Sequence, residues 1–207
     1  MNRSVRSRRV RVRWPAALAG LTLACGLLWV ERADLAYLIS PRDPISLGDE
    51  SGYDFERLTS NRFAEIHGIP TAGGAYSRDG DRIHVVVGLR NTPVLLRREA
   101  LPTEDWVPRR PPPAPDPRPL GARGRLLAEE DAPRYQSAFE MLGRELTAKD
   151  GQRWILLDGE RPGADAGTAL LGAALLGFAI LNIWWLVRDV TRRVQTRRSV
   201  TAVDSLR

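Results

Sequence analysis

Charged and apolar positions separate along this chain into blocks. Two stretches carry no charge at all: Trp14–Val30, 17 residues, and Ala166–Val187, 22 residues. As helices at 1.5 Å per residue they measure about 25 Å and about 33 Å, against a hydrocarbon core of roughly 30 Å. A backbone in lipid must satisfy its own hydrogen bonds, so both stretches predict transmembrane helices. The competing reading of the second, a buried core helix, would want a polar face that this run lacks. The first has other competitors. A cleaved signal peptide would share its basic start and apolar core, but the run passes directly into Trp29-Val30-Glu31-Arg32 without a small-residue exit. A lipoprotein signal would use Cys25 after Thr22-Leu23-Ala24, and a twin-arginine signal would use Ser7-Arg8-Arg9, with Arg11 at an ordinarily apolar position. An uncleaved anchor is the reading adopted, with cleavage as its alternative.

Small residues recur every four positions in both runs: Ala16, Gly20 and Ala24 in the first, Ala169, Ala173 and Gly177 in the second. Such stripes can let helices approach closely, the alternative being that Ala and Gly are simply common in spans, and Asn182 could donate a hydrogen bond across to the partner helix.

Between the runs the periodicity turns to that of strands. Leu35, Leu38 and Ile39 extend the first helix briefly until Pro41 and Pro44 stop it, and residues 42–60 read as an acidic, solvated connector. Phe63–Ile69, Ala75–Ser77, Arg82–Leu89 and Val94–Arg98 are predicted strands, with Thr71–Gly74 a turn and Asp79-Gly80 a hairpin signal. Seven prolines at residues 108–119 exclude any regular hydrogen-bonded element there and predict a stiff extended loop. Arg123–Ala128 follows as a strand. Asp131 then caps a helix with Pro133 in its first turn, Tyr135, Ala138, Phe139, Leu142 and Leu146 forming one apolar face. Lys149-Asp150-Gly151 ends that helix, and Trp154–Leu157 is the last strand. The fold class predicted is α+β: a small, mostly antiparallel β domain with one packed helix, open or curled into a partly closed barrel, flanked by two transmembrane helices.

Charge then orients the chain. The net charge of +6 and a pI near 10.3 invite a nucleic-acid reading. The surplus lies at the ends, however: residues 1–13 carry +6, residues 188–207 carry +4, and residues 31–165 carry −4. Basic flanks are retained on the cytoplasmic side of a bilayer, so residues 1–13 and 188–207 are predicted cytoplasmic tails. Residues 14–30 and 166–187 are then the spans, and 31–165 an extracytoplasmic domain. Attraction to anionic lipid accounts for the tails without nucleic acid. Thirty arginines against one lysine point to a GC-rich bacterial gene, hence to a bacterial inner membrane. The lone cysteine excludes a disulfide framework.

The stretch Arg82–Arg97, followed by Trp106-Val107-Pro108 and Gly124-Arg125-Leu126, resembles in order and spacing the strands of the Surfeit-locus family of cytochrome-oxidase assembly proteins. That family also encloses an extracytoplasmic β-rich domain between two spans, with both ends inside. The resemblance implies the same architecture here. The Asn-Arg-Gly-Trp run of that family is replaced in this chain by Leu96-Arg97-Arg98-Glu99.

The sequence holds few arrangements that carry chemistry. Glu65 and His67 project from one strand face and, with His84 across the sheet, are the candidate metal ligands. Two histidines in a whole chain more often fill a surface, and the reading adopted has no metal. No nucleophile elbow is present, Cys25 sits in an apolar run, and Lys149 is the sole lysine for a dyad. Gly73-Gly74 lacks the Lys-Ser/Thr ending of a phosphate loop. No catalytic residue and no cofactor is assigned. The reading adopted is a non-enzymatic two-span membrane protein whose outer domain binds a membrane or extracytoplasmic protein or helps assemble a complex. The alternatives are an extracytoplasmic sensor or ligand-binding module and a membrane-anchored metalloenzyme using Glu65, His67 and His84.

Overall fold

The computed structural model of the protein describes residues 13–104, 106–107, 110–147 and 151–204. In chain order the elements are α1 (Arg13–Val30), α2 (Arg32–Leu38), β1 (Ile45–Ser46), β2 (Gly48–Asp49), β3 (Gly52–Tyr53), β4 (Arg62–Gly68) and β5 (Pro70–Asp79). They continue with β6 (Arg82–Leu89), β7 (Val94–Glu99), β8 (Leu120–Ala128), α3 (Gln136–Leu142), β9 (Trp154–Asp158) and α4 (Ala166–Asp204). These form two units: one built of α1, the start of α2, and α4, the other comprising Ala36–Asp165. The predicted tail 1–13 lies outside the described residues except for Arg13. So do Pro108 and Arg109 of the proline loop, and Lys149 with Asp150 of the predicted helix end.

In the helical unit, Ala166–Arg188 is 23 residues long and apolar enough to cross a membrane. Only 11% of an 18-residue part of that stretch is buried, whereas the core helix of a soluble protein is mostly covered. The apolar part of α1, Ala17–Val30, is shorter. Ala17, Leu21, Ala24 and Leu28 of α1 are withdrawn from solvent at alternating four- and three-residue steps, and so are Thr168, Gly172, Leu175, Ala179, Asn182 and Leu186 of α4. That alternation is the seam spacing of helices packed side by side. Gly20 makes room for the Phe178 ring, whose Cζ lies 3.1 Å from where a Cβ would stand, and Gly172 makes room for the Leu35 side chain.

The stripe predicted on α4 is therefore displaced by one residue. Ala169 and Ala173 are exposed and Gly177 has nothing against it. Four-residue spacing by itself does not choose between two adjacent stripes of small residues; the larger neighbours decide. Asn182 Nδ2 donates to its own helix, to the Phe178 carbonyl at 2.8 Å, instead of across to α1.

In the Ala36–Asp165 unit, seven strands form one sheet in the order β1-β4-β8-β9-β7-β6-β5. Four of its pairings are antiparallel; β1 with β4 and β7 with β9 are parallel. In a flat sheet, five strand spacings would separate β4 from β5 by about 24 Å. Ile69 alone links them, and the Arg90 N–H donates to the Ile69 carbonyl at 3.0 Å. The sheet must therefore curl on itself.

Its concave side holds Ala64, Ile66, Val85, Val87, Val94, Leu96, Leu126 and Leu156 as one core. The alternate residues Val86, Leu95, Leu127, Ile155 and Leu157 face outward and pack on α3 and its flanks through Tyr135, Ala138, Phe139, Leu142 and Leu146. Period-two alternation thus supplies two cores from one sheet, each fully buried aliphatic or aromatic side chain contributing about 1.5–3 kcal/mol.

Four local predictions are corrected. Residues 42–60 are not wholly solvated: β1 pairs with β4, β2 with β3, and Leu47 is completely buried between them. Two-residue strands have no period to read. Thr71–Gly74 is strand and not turn, with a bulge between Pro70 and Gly74. The hairpin turns at Gly80-Asp81, Gly80 taking φ +60° as the first central residue, while Asp79 pairs with Arg82. Asp131 is not a helix cap. Its carboxylate accepts the Ser60 hydroxyl, and Pro133–Tyr135 forms a 3-10 turn before α3 opens at Gln136.

Candidate functional site

The three candidate metal ligands are not brought together. Glu65 and His67 share a face of β4, with His67 Nε2 3.9 Å from Glu65 Oε1. Glu65 is committed elsewhere: Arg123 on β8 holds both its oxygens, Nε at 2.8 Å and Nη2 at 3.1 Å. His84 lies four strand positions away on β6. Among the described residues no three His, Cys, Asp or Glu side chains gather into a metal-holding group. The face parity read from the sequence is right for Glu65 and His67, but strand order, which sequence does not carry, separates them from His84. Cys25 is exposed on α1.

His84 instead borders a cavity of about 230 Å³ on the helix-covered face, with Ser77, Arg97, Arg134, Tyr135 and Ser137. Burial and then the Arg97 charge hold the His84 imidazole below its ordinary range, outweighing the opposing carboxylates of Glu99 and Asp79. Burial pushes the Tyr135 phenol up against the opposing charges of Arg97 and Arg134. These groups are donors around a half-buried arginine. Asp79 adds a carboxylate to the lining.

The most elaborately built polar cluster is one the sequence did not announce. Tyr76, Val85 and Arg98 lie side by side on β5, β6 and β7. Val85 is in the concave core, so Arg98 also points inward, at the end of the strand, and is buried. An inward arginine requires an acid, and Glu104 supplies it from the 3-10 turn at Pro102–Glu104. The pair is bidentate, Nη1 to Oε2 at 2.7 Å and Nη2 to Oε1 at 2.6 Å, with Glu104 only 1% exposed. Glu104 also accepts the backbone N–H groups of Leu101 at 2.9 Å and Asp116 at 2.7 Å. Burial raises its pKa, but the hydrogen bonds from Arg98, Asp116 and Leu101 outweigh that and hold the carboxyl below its ordinary value.

The bond to Asp116 gives this pair its reach. Asp116 lies near the end of the proline segment, and its own carboxylate binds Arg118. Pro115 fits over Gly74, where a Cβ would stand only 2.8 Å from the proline Cγ. Trp106 tilts against Tyr76, their ring centroids 6.2 Å apart. The described part of the proline segment, 110–119, contains no helix or strand and is pinned at its far end across β5 and β7. The signal that could have found this cluster is the run Val94, Leu96, Arg98, in which a charged residue occupies the third inward position of a strand. The acid six residues on gives no comparable hint.

The chain matches no protein-family profile, no curated protein and no solved structure at a significant level. The likeness to the Surfeit-locus family therefore stands on layout alone.

Proposed function

We propose that this is a two-span membrane protein whose domain between the spans docks another membrane or extracytoplasmic protein, in the manner of an assembly or scaffold component and without catalysis. The observation that carries the reading is the proline segment clasped by Arg98 and Glu104. An extended proline-rich chain has little conformational entropy left to lose on binding, and fixing its end on a sheet lowers that cost further. Val107 stands exposed beside it, next to Trp106. Extended segments of this composition are a recurrent mode of peptide recognition.

The membrane half of the proposal is supported by the exposed apolar surface of α4, where Leu170, Ile180, Leu181 and Trp184 face outward. Lipid is the solvent in which such a surface costs least. In this reading α1 is the second span, both basic tails are cytoplasmic, and the middle domain faces the far side of a bacterial inner membrane.

A photo-crosslinking residue at Val107 or Pro112, introduced into the full chain in native membranes, should trap one discrete protein adduct. The same probe at Asp81, on the β5–β6 hairpin, should not. Equal labelling at the two sites, or none at either, would contradict docking through the proline segment.

A further inference from the structure

The two ends of the sheet unit are stitched together. The Tyr37 hydroxyl donates to the Glu160 carbonyl at 2.8 Å, and the Arg125 guanidinium lies 4.7 Å over the Tyr37 ring. Burial, reinforced by Glu160 and opposed by Arg125, pushes the Tyr37 phenol up to about 12, so it remains a donor at any physiological pH.

At this joint lies a cavity of about 490 Å³ bordered by Arg42, Arg123, Arg161, Phe63, Pro44 and Pro162. Phe63 and Pro162 are buried and make an apolar floor; Arg42 and Arg161 are exposed at the rim. Gly163, at φ +74°, closes the wall beside Arg42, whose Nη2 lies 3.6 Å from where a Cβ would stand. Arg123 spends Nε and Nη2 on Glu65, which leaves its Nη1 hydrogens uncommitted. Among the described residues, neither Arg42 nor Arg161 has an ion-pair partner.

The lining carries three guanidinium groups and no carboxylate, with Glu65 and Asp158 held beside Arg123, and guanidinium is the side chain whose planar fork suits phosphate oxygens. The apolar floor narrows the choice. A free inorganic anion, which keeps its hydration, gains nothing from a phenyl ring and two prolines. The phosphate of an amphiphile brings glycerol and acyl carbons to lay against them. The chain enters α4 two residues after Ala164, which also lines the cavity. We propose that this cavity binds the phosphate headgroup of an anionic phospholipid. The inference rests on the two-span reading above.

The test uses the full chain purified in a neutral detergent, with thermal melting followed against added phosphatidylglycerol, phosphatidylcholine or potassium phosphate. Phosphatidylglycerol should raise the melting temperature and the other two should not. Arg42→Gln with Arg161→Gln should weaken the phosphatidylglycerol response by roughly tenfold or more. Arg82→Gln with Arg90→Gln, an equal loss of charge at exposed positions outside the cavity, should leave it unchanged. The basic tails are common to all variants and cancel from the comparison. An equal shift from phosphatidylcholine, a full shift from inorganic phosphate alone, or an unaltered response in the Arg42/Arg161 variant overturns the inference. Release of the chain from membranes by alkaline carbonate overturns the two-span reading, and this inference with it. Retention together with an unaltered variant overturns the inference alone.

Discussion

At the scale of single residues, the Arg98–Glu104 pair carries the sharpest expectation. Two buried charges hold each other at 2.6 Å, so removing one strands the other in the protein interior. Glu104→Gln should destabilise the sheet unit by about 3–5 kcal/mol, read from denaturant unfolding of the full chain in detergent. The apolar double replacement Arg98→Met with Glu104→Leu should recover most of that loss, because it leaves no orphaned charge. The pair also sets a pH dependence. Glu104's folded pKa lies below its unfolded one, so its contribution is complete above the ordinary carboxylate range and disappears as pH falls through the lowered value. Unfolding midpoints that drop in acid below the ordinary carboxylate range, with that drop reduced in Glu104→Gln, are the expected pattern, beside a separate loss below the ordinary histidine range from the lowered His84. Which face each residue takes was legible in the sequence, for Arg98 as for Glu65 and His67, since alternation alone decides it. Which residue answers from another strand was not. Glu65 finds Arg123 from β8, and Arg98 finds an acid on a turn between prolines.

At the scale of elements, β6, β7, β8 and β9 were readable because each is an apolar-rich run of strand length bounded by turn residues. The α3 face was readable because its apolar residues repeat every three or four positions. The parallel pairings of β7 with β9 and β1 with β4 were not, since a strand's partners depend on the whole chain. β5 concealed itself behind glycine. Gly73 and Gly74 look like a turn, yet Gly74 is there to admit Pro115. Gly124, in the middle of β8, has a harder role, because a Cβ there would run into the Leu157 carbonyl of β9. Backbone cannot step aside as a flexible side chain can. Gly124→Ala should therefore cost about 3 kcal/mol or more, at the upper end of overpacking penalties. Gly121→Ala, which meets only the exposed His67 ring, should cost far less. Melting temperatures of the two variants side by side check the contrast.

At the scale of the whole molecule, the sequence separated a charged, strand-patterned middle from two apolar flanks, and α4 has the length and exposure of a membrane-crossing helix. Topology is open to a direct measurement. In a Cys25→Ala background, cysteine placed at Ser77 on the β5–β6 hairpin should react with a membrane-impermeant maleimide on intact cells, and cysteine placed at Ser199 should react only after lysis. The reverse pattern would invert the proposed orientation. Curling of the sheet was foreseeable only as a class, because what compels it is a single-residue link between strands at distant positions in the sheet order. That order has a further consequence in time. β9 is the last strand made, yet it lies between β8 and β7 and joins the two halves of the sheet. A nascent chain that has reached Gly151 has every other strand but two unpaired edges facing an empty slot. Synthesis of the domain therefore ends with its keystone, eight residues before α4 begins, and a chain stalled before Trp154 would leave open β-edges ready to pair with a neighbour.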